Sequence, residues 1–204
     1  MNQVSGRLIV FEGIDGTGKS TQLSLLQHHL EDRGYSVVAT REPTDGVYGQ
    51  KIRALYRSRD TVSREEELAL FIADRRDHVA AVLAPALAGG QIVLCDRYFL
   101  STAAYQGAAG LDPDRIIARN AFAPTPDLAL LFELDPREAL RRITEHRGDQ
   151  PNDFEQLDYL QKVDTVFRRM RLPYIKRIDA GPSADLIQQM VRKLVDELLD
   201  HHQT

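Results

Sequence analysis

One cysteine, Cys95, stands in 204 residues, so no disulfide can close within the chain and no zinc can be held by several thiolates. A lone thiol suits a reducing compartment, and the cytoplasm is the expected location. No stretch of 18 uncharged apolar residues occurs, and the apolar run after Arg7 is only Leu8–Phe11, too short for a signal-peptide core. Neither secretion nor a membrane span is expected. Charge of one sign is not in excess: 26 Lys and Arg face 30 Asp and Glu, a formal net charge of −4, without the basic footprint of a nucleic-acid binder. Repeats, low-complexity tracts and linkers are missing too. A 43% hydrophobic composition then fits one globular domain over residues 1–204.

What is present is an alternation of short apolar runs with helical patterns. Leu8–Phe11, Val37–Ala39, Ile92–Cys95 and Leu128–Phe132 have no polar alternation, which suits strands buried on both faces of a parallel sheet. Tyr174–Ile178 carries two basic residues and reads as an edge strand. Helix starts are marked by Ser63-x-x-Glu66, Asp112-Pro113, Asp135-Pro136 and Ser183. From about Arg64 to Ala88 a helical pattern aligns Leu68, Phe71, Ile72, Val79, Val82 and Leu83 into an apolar stripe. The expected fold is α/β, a doubly wound five-stranded parallel sheet flanked by helices, with ligands beyond the C-terminal ends of its strands.

Directly after the first strand comes Gly13-Ile14-Asp15-Gly16-Thr17-Gly18-Lys19-Ser20, then Thr21 and an apolar-periodic helix. This is the Walker A pattern in its strand–loop–helix context. Glycines let successive N–H groups turn inward around an anion, and the helix N-terminus adds positive partial charge. Lys19 would bridge the β- and γ-phosphates of ATP, and Ser20 would offer its hydroxyl to Mg2+. No Asn-Lys-x-Asp follows anywhere, which disfavours a GTP switch.

Asp96-Arg97-Tyr98 follows the third strand, so Asp96 stands where a ligand to Mg2+ or its water would sit. Arg41, Arg53 and Arg97, with Arg75-Arg76, suit a second phosphate facing the first. Two phosphates imply phosphoryl transfer between nucleotides. The paired histidines His28-His29 and His201-His202 project about 100° apart on a helix and do not share a metal.

These motifs, together with Thr40-Arg41-Glu42-Pro43 and Ser101 through Gln106, resemble the thymidylate kinase family in order and spacing over nearly the whole chain. The resemblance implies ATP-dependent phosphorylation of dTMP to dTDP. It matches Phe71 to the aromatic stacked on thymine and Arg75 to the residue that hydrogen-bonds the base. Pro43, Ser101, Thr102 and Gln106 fall in its dTMP-binding motifs. Tyr105 matches the ring packed beneath the sugar, where it leaves no room for a ribose 2′-hydroxyl. Asp15 matches the acid near the acceptor's 3′-hydroxyl and a magnesium water. Arg41, Arg53 and Arg97 match positions around the monophosphate, and Arg142 the arginine stacked on adenine. A cis Glu42-Pro43 bond and a helix-mediated homodimer are also implied.

The sequence departs from the family in the expected lid, about 141–155. A familiar Asp-Arg-Phe-Glu appears as Asn152-Asp153-Phe154-Glu155, with an acid where the arginine stands, and the P-loop has no arginine of its own. Arg147 is the substitute catalytic candidate, with Arg141 second. Thr102 and Asp74 do not identify the base, and dUMP is the nearest competitor. The other readings are a kinase for another deoxynucleotide, a deoxynucleoside kinase with Glu12 as base, and a P-loop ATPase acting as a switch.

Overall fold

The computed structural model describes residues 6–57, 61–147 and 156–200. Five strands, β1 (Arg7–Glu12), β2 (Val37–Arg41), β3 (Ile92–Asp96), β4 (Leu128–Glu133) and β5 (Ile175–Asp179), form one parallel sheet in the order β2-β3-β1-β4-β5. The helices are α1 (Lys19–Asp32), α2 (Val47–Ala54), α3 (Arg64–His78), α4 (Ala84–Ala88), α5 (Phe99–Ala108), α6 (Pro113–Arg119), α7 (Pro136–Arg147), α8 (Leu157–Arg169) and α9 (Ala184–Asp200). No helix among the described residues is long and apolar enough to cross a membrane.

Central β1 is as dry as its sequence requires, with Leu8, Ile9, Val10 and Phe11 at most 1% exposed. The edge position of β5 is as expected. The expectation for Val37–Ala39 is corrected: β2 is the other edge, pairs on one side only and stays half-buried. Helix starts follow their signals. Ser63 and Glu66 form a reciprocal capping box on α3, and the Asp112 and Asp135 carboxylates accept from Asp114 N and Arg137 N.

The long helical pattern holds its course but changes pitch. A wide π-type turn at Val79–Leu83 links α3 to α4, where Pro85 lacks the N–H that would reach Ala81 and its ring displaces that carbonyl. The stripe itself is only partly apolar. Leu68 and Leu83 are buried, but Phe71, Ile72, Val79 and Val82 are half-buried, while Asp74, Arg75 and His78 are buried in full. The cause is what α3 lies against: a polar loop and a cleft, not a second dry surface.

Register places the chemistry. Asp96 is paired with both Phe11 on β1 and Arg41 on β2, so the P-loop, Asp96 and Arg41 meet at the C-terminal edge of the sheet, where such folds bind ligands.

Candidate active site

The P-loop wraps tightly because two of its glycines have no alternative. Gly13 (φ +133°) and Gly16 (φ +80°) lie in the left-handed half of the map, and a Cβ on them would stand 2.4 Å from Phe132 O and 2.3 Å from Ala139 O. Lys19 begins α1 and curls back over the loop, its Nζ donating to Ile14 O at 2.8 Å. Burial, helped by the Arg97 charge, pushes the Lys19 ammonium down to about 8. Ser20 Oγ donates to Asp96 Oδ2 in a short contact. These two hard oxygen donors suit Mg2+, which takes few protein ligands and fills its octahedron with water and phosphate. No larger cage of His, Cys, Asp and Glu occurs among the described residues.

On one side of the loop lies a cleft of about 500 Å3, within the usual range for small-molecule sites. Asp15, Lys19, Ser20, Arg41, Pro43, Arg53, Phe71, Arg75, Asp96, Arg97, Ser101, Thr102 and Tyr105 all line it. Residues up to 90 positions apart are thus brought to one wall. Arg97 is the only non-glycine among the described residues with a left-handed backbone, φ +70°, a conformation that the surroundings must enforce. Its N–H donates to Phe11 O, and its guanidinium donates to Gly13 O at 3.1 Å, Ser101 Oγ at 3.1 Å, Asp15 Oδ1 at 2.6 Å and Tyr105 OH at 3.4 Å. Tyr105 in turn donates to Asp15 Oδ2 at 2.9 Å. Burial works to raise the Asp15 carboxyl, but Arg97 and Lys19 outweigh it and hold it well below the usual carboxylate range.

At the deep end Arg75 is 1% exposed. Its Nε and Nη2 grip Glu42 Oε2 at 2.9 and 2.6 Å, Nη2 also reaches Thr102 Oγ1 at 2.9 Å, and Nη1 reaches Asn120 Oδ1 at 2.5 Å. Four of its five N–H groups are thereby used, and the residue lines the cleft. The Glu42-Pro43 bond is cis, as the resemblance implies. At the rim, Asp45 pairs with Arg41 at 2.9 Å and Arg53 at 3.1 Å.

A second cleft of about 540 Å3 opens on the other side of the same loop, sharing Gly16, Gly18 and Thr21, and is closed by Arg141, Arg142, Pro182 and Ile187. Arg142 is held in it by bonds to Ala180 O at 3.0 Å and Glu138 Oε1 at 3.0 Å. The loop therefore divides two nucleotide-sized spaces.

Not every expected residue joins them. Gln106 is wholly buried on α5 and lines neither cleft; it lies one helical turn beyond Thr102, and Tyr105 is the last residue of that helix to reach the wall. Arg76, beside Arg75, points out and lies over the Phe122 ring at 4.0 Å. Arg147 ends α7, but its side chain and the segment 148–155 lie outside the described residues, and with them most of the expected lid. In the other direction, Glu42, Tyr56 and Tyr98 line the first cleft without having been singled out for their side chains. Glu42 and Tyr98 sit inside motifs already noticed; Tyr56, in an unpatterned stretch after α2, carries no signal.

Comparison with known proteins agrees with this geometry. A family model described as thymidylate kinase matches residues 11–191. A thymidylate kinase of Desulfotalea psychrophila is 53% identical over 199 residues, covering 98% of both chains. One of Xanthomonas campestris pv. campestris is 46% identical over 190 residues, 93% of this chain and 83% of that protein.

Proposed function

The chain belongs to the thymidylate kinase family, and on that premise we propose that it transfers the γ-phosphoryl group of ATP to dTMP, releasing dTDP and ADP. The observation that carries this reading is the P-loop set between two clefts, one of them lined by Arg41, Arg53 and Arg97. Three arginines on one wall suit an anionic acceptor, since Arg41 and Arg53 have only Asp45 to share between them and Arg97 is paired with Asp15.

The acceptor brings its own nucleophile. An ionised oxygen of the dTMP phosphate forms the new P–O bond while the bond to the β-phosphate oxygen of ATP breaks, and no proton need be removed. The obstacle is the approach of two anions and the charge spread over the moving group, which positioned cations offset. Lys19 and the backbone N–H groups from Gly13 to Thr21 hold the donor, Arg142 flanks its adenine, and Arg97 faces the group in transfer. Asp15 stays ionised, orients Arg97 and accepts from the acceptor's 3′-hydroxyl. Phe71 stacks on the base, Arg75 and Thr102 address its polar edge, and Tyr105 packs under the sugar. Pro43 and Ser101 complete the acceptor wall. Ser20 and Asp96 would hold Mg2+, which when bound offsets phosphate charge. Arg147, on the expected lid, supplies the last cation.

A deoxynucleoside kinase would need a base near a neutral hydroxyl. Glu12 does not fill that role: it lines no part of the cleft, and both its oxygens are occupied by Tyr98 N and Ser101 Oγ. We further propose a cytoplasmic homodimer, which light scattering on the purified protein tests.

The deciding experiment is ADP release from MgATP against dTMP, dUMP, dCMP, dGMP, the ribose form of TMP, and thymidine. Strong preference for dTMP with rejection of the ribose form is expected. Turnover of thymidine, or of another monophosphate above dTMP, overturns the assignment.

A further inference from the structure

Glu12 is the last residue of β1, one position before the P-loop, and its side chain is wholly buried. No cation among the described residues comes within ion-pair distance of it. Burial pushes its carboxyl up to about 7, against the pull of the Ser101 hydrogen bond and the more distant Arg97 and Arg75. An unpaired buried carboxylate works against the fold whenever it is ionised, and a central strand would pack better with an apolar residue. Local choices that work against the fold are expected chiefly at functional sites.

The hydrogen bonds state what this one does. Tyr98 N donates to Glu12 Oε1 at 3.0 Å, and Ser101 Oγ donates to Oε2 in a short contact. Tyr98 precedes α5 and Ser101 lies in its first turn. The carboxylate thus pins to β1 the end of the helix that carries Ser101, Thr102 and Tyr105 into the cleft. Because an ionised carboxylate only accepts, the single hydroxyl hydrogen of Ser101 is committed to it. The Ser101 oxygen is then left to accept from Arg97 Nη1 at 3.1 Å. A chain runs from Glu12 through Ser101 to the guanidinium held in the left-handed turn.

We propose that Glu12 is a positioning residue: from outside the acceptor cleft it fixes, through the Ser101 hydroxyl, the Arg97 guanidinium that faces the phosphoryl group in transfer. This rests on the proposed reading of the cleft as the acceptor site. Glutamine in its place keeps the volume but cannot accept on both sides. Its amide N–H meets either the Tyr98 N–H or the Ser101 oxygen, and in the second case the Ser101 hydrogen is turned onto the Arg97 N–H.

The test is a double-mutant cycle on the full chain with Glu12→Gln, Ser101→Ala and the pair, reading kcat, KM for each substrate and Tm at pH 8. Glu12→Gln is expected to lower kcat/KM for dTMP about 30-fold, with KM for ATP within about twofold. Ser101→Ala should give a similar loss, and the pair should be no worse than the poorer single within about threefold, since both break one chain. Tm of Glu12→Gln should be at or above that of the parent, which a merely structural role would not allow. Multiplying losses, an unchanged kcat/KM in either single, or a loss that follows a lowered Tm overturns the proposal. If Glu12→Gln does not fold, Glu12→Asp, which keeps the charge but draws the carboxylate back from Ser101, takes its place in the cycle and the same outcomes decide. Absence of dTMP turnover in the unaltered protein would instead overturn the substrate assignment.

Discussion

At the scale of single residues, the question left by the expected lid is which arginine would meet the transferred group. Arg141 is committed elsewhere: it bonds Glu138 at 2.8 Å and Glu145 at 2.6 Å on its own helix. Arg142 is tied to Ala180 O and Glu138. Arg147, at the C-terminal end of α7, is next to the Gly148–Pro151 stretch that bears the turn-forming residues of the expected lid. Arg147→Ala is therefore expected to lower kcat at least about 30-fold with KM for ATP changed much less, the signature of a contact made only in the transition state. Arg141→Ala should stay within about threefold, because an exposed pair on one helix contributes little. Steady-state kinetics with saturating dTMP separates the two, and an unchanged kcat in Arg147→Ala removes it from the mechanism.

At the scale of elements, the polar stripe of α3 is what the sequence concealed and the structure explains. Periodicity of apolar residues finds the helix and its capping box, but it leaves Asp74 and His78 off the buried stripe. Their partners lie far back in the chain. Asp74 accepts from Thr44 N at 2.8 Å and Thr44 Oγ1 at 2.6 Å, and His78 stands between Glu42 Oε1 at 2.9 Å and Thr40 Oγ1 at 2.7 Å. No local pattern announces a pairing across some 30 residues. The strands, by contrast, were legible because a buried parallel sheet demands uninterrupted apolar runs, and the P-loop because phosphate binding demands its spacing. The loop from 43 to 46 is rigid on this account: α3 holds it from one side, and α2 closes on it so tightly that a Cβ at Gly49 would stand 1.9 Å from Thr44 O. Asp74→Ala leaves both Thr44 donors without their carboxylate and should destabilise by about 2–3 kcal/mol, against about 1 for Thr44→Val, which keeps the backbone bond but loses the hydroxyl's bond to Asp74 and the exposed one from Gly46 N. Urea titration should show a lower midpoint at unchanged slope; equal losses in the two variants would mean that the hydroxyl carries the effect and the backbone bond adds nothing.

At the scale of the whole molecule, two carboxylates one turn of loop apart carry opposite pH dependences. Asp15, held below its ordinary range by Arg97 and Lys19 after burial has worked against them, contributes stability that is present above the usual carboxylate pKa and is lost as acid protonates it. Glu12 runs the other way. Its folded value of about 7 lies above the ordinary 4.5, so its contribution is full below 4.5 and is lost as pH rises through 7, a change of about 3 kcal/mol. The protein should therefore be most stable between these limits, on the acid side of neutrality, while catalysis needs Glu12 ionised so that Ser101 and Arg97 are held. Stability and activity then peak at different pH. Denaturant titrations from pH 5 to pH 8 should show the parent losing stability mainly between pH 5 and pH 7 and levelling off above, and Glu12→Gln, which cannot ionise, losing about 2.5 kcal/mol less. Parallel curves for the two proteins would mean that Glu12 is ionised at little cost in the fold, and would remove the argument that its retention reflects the site.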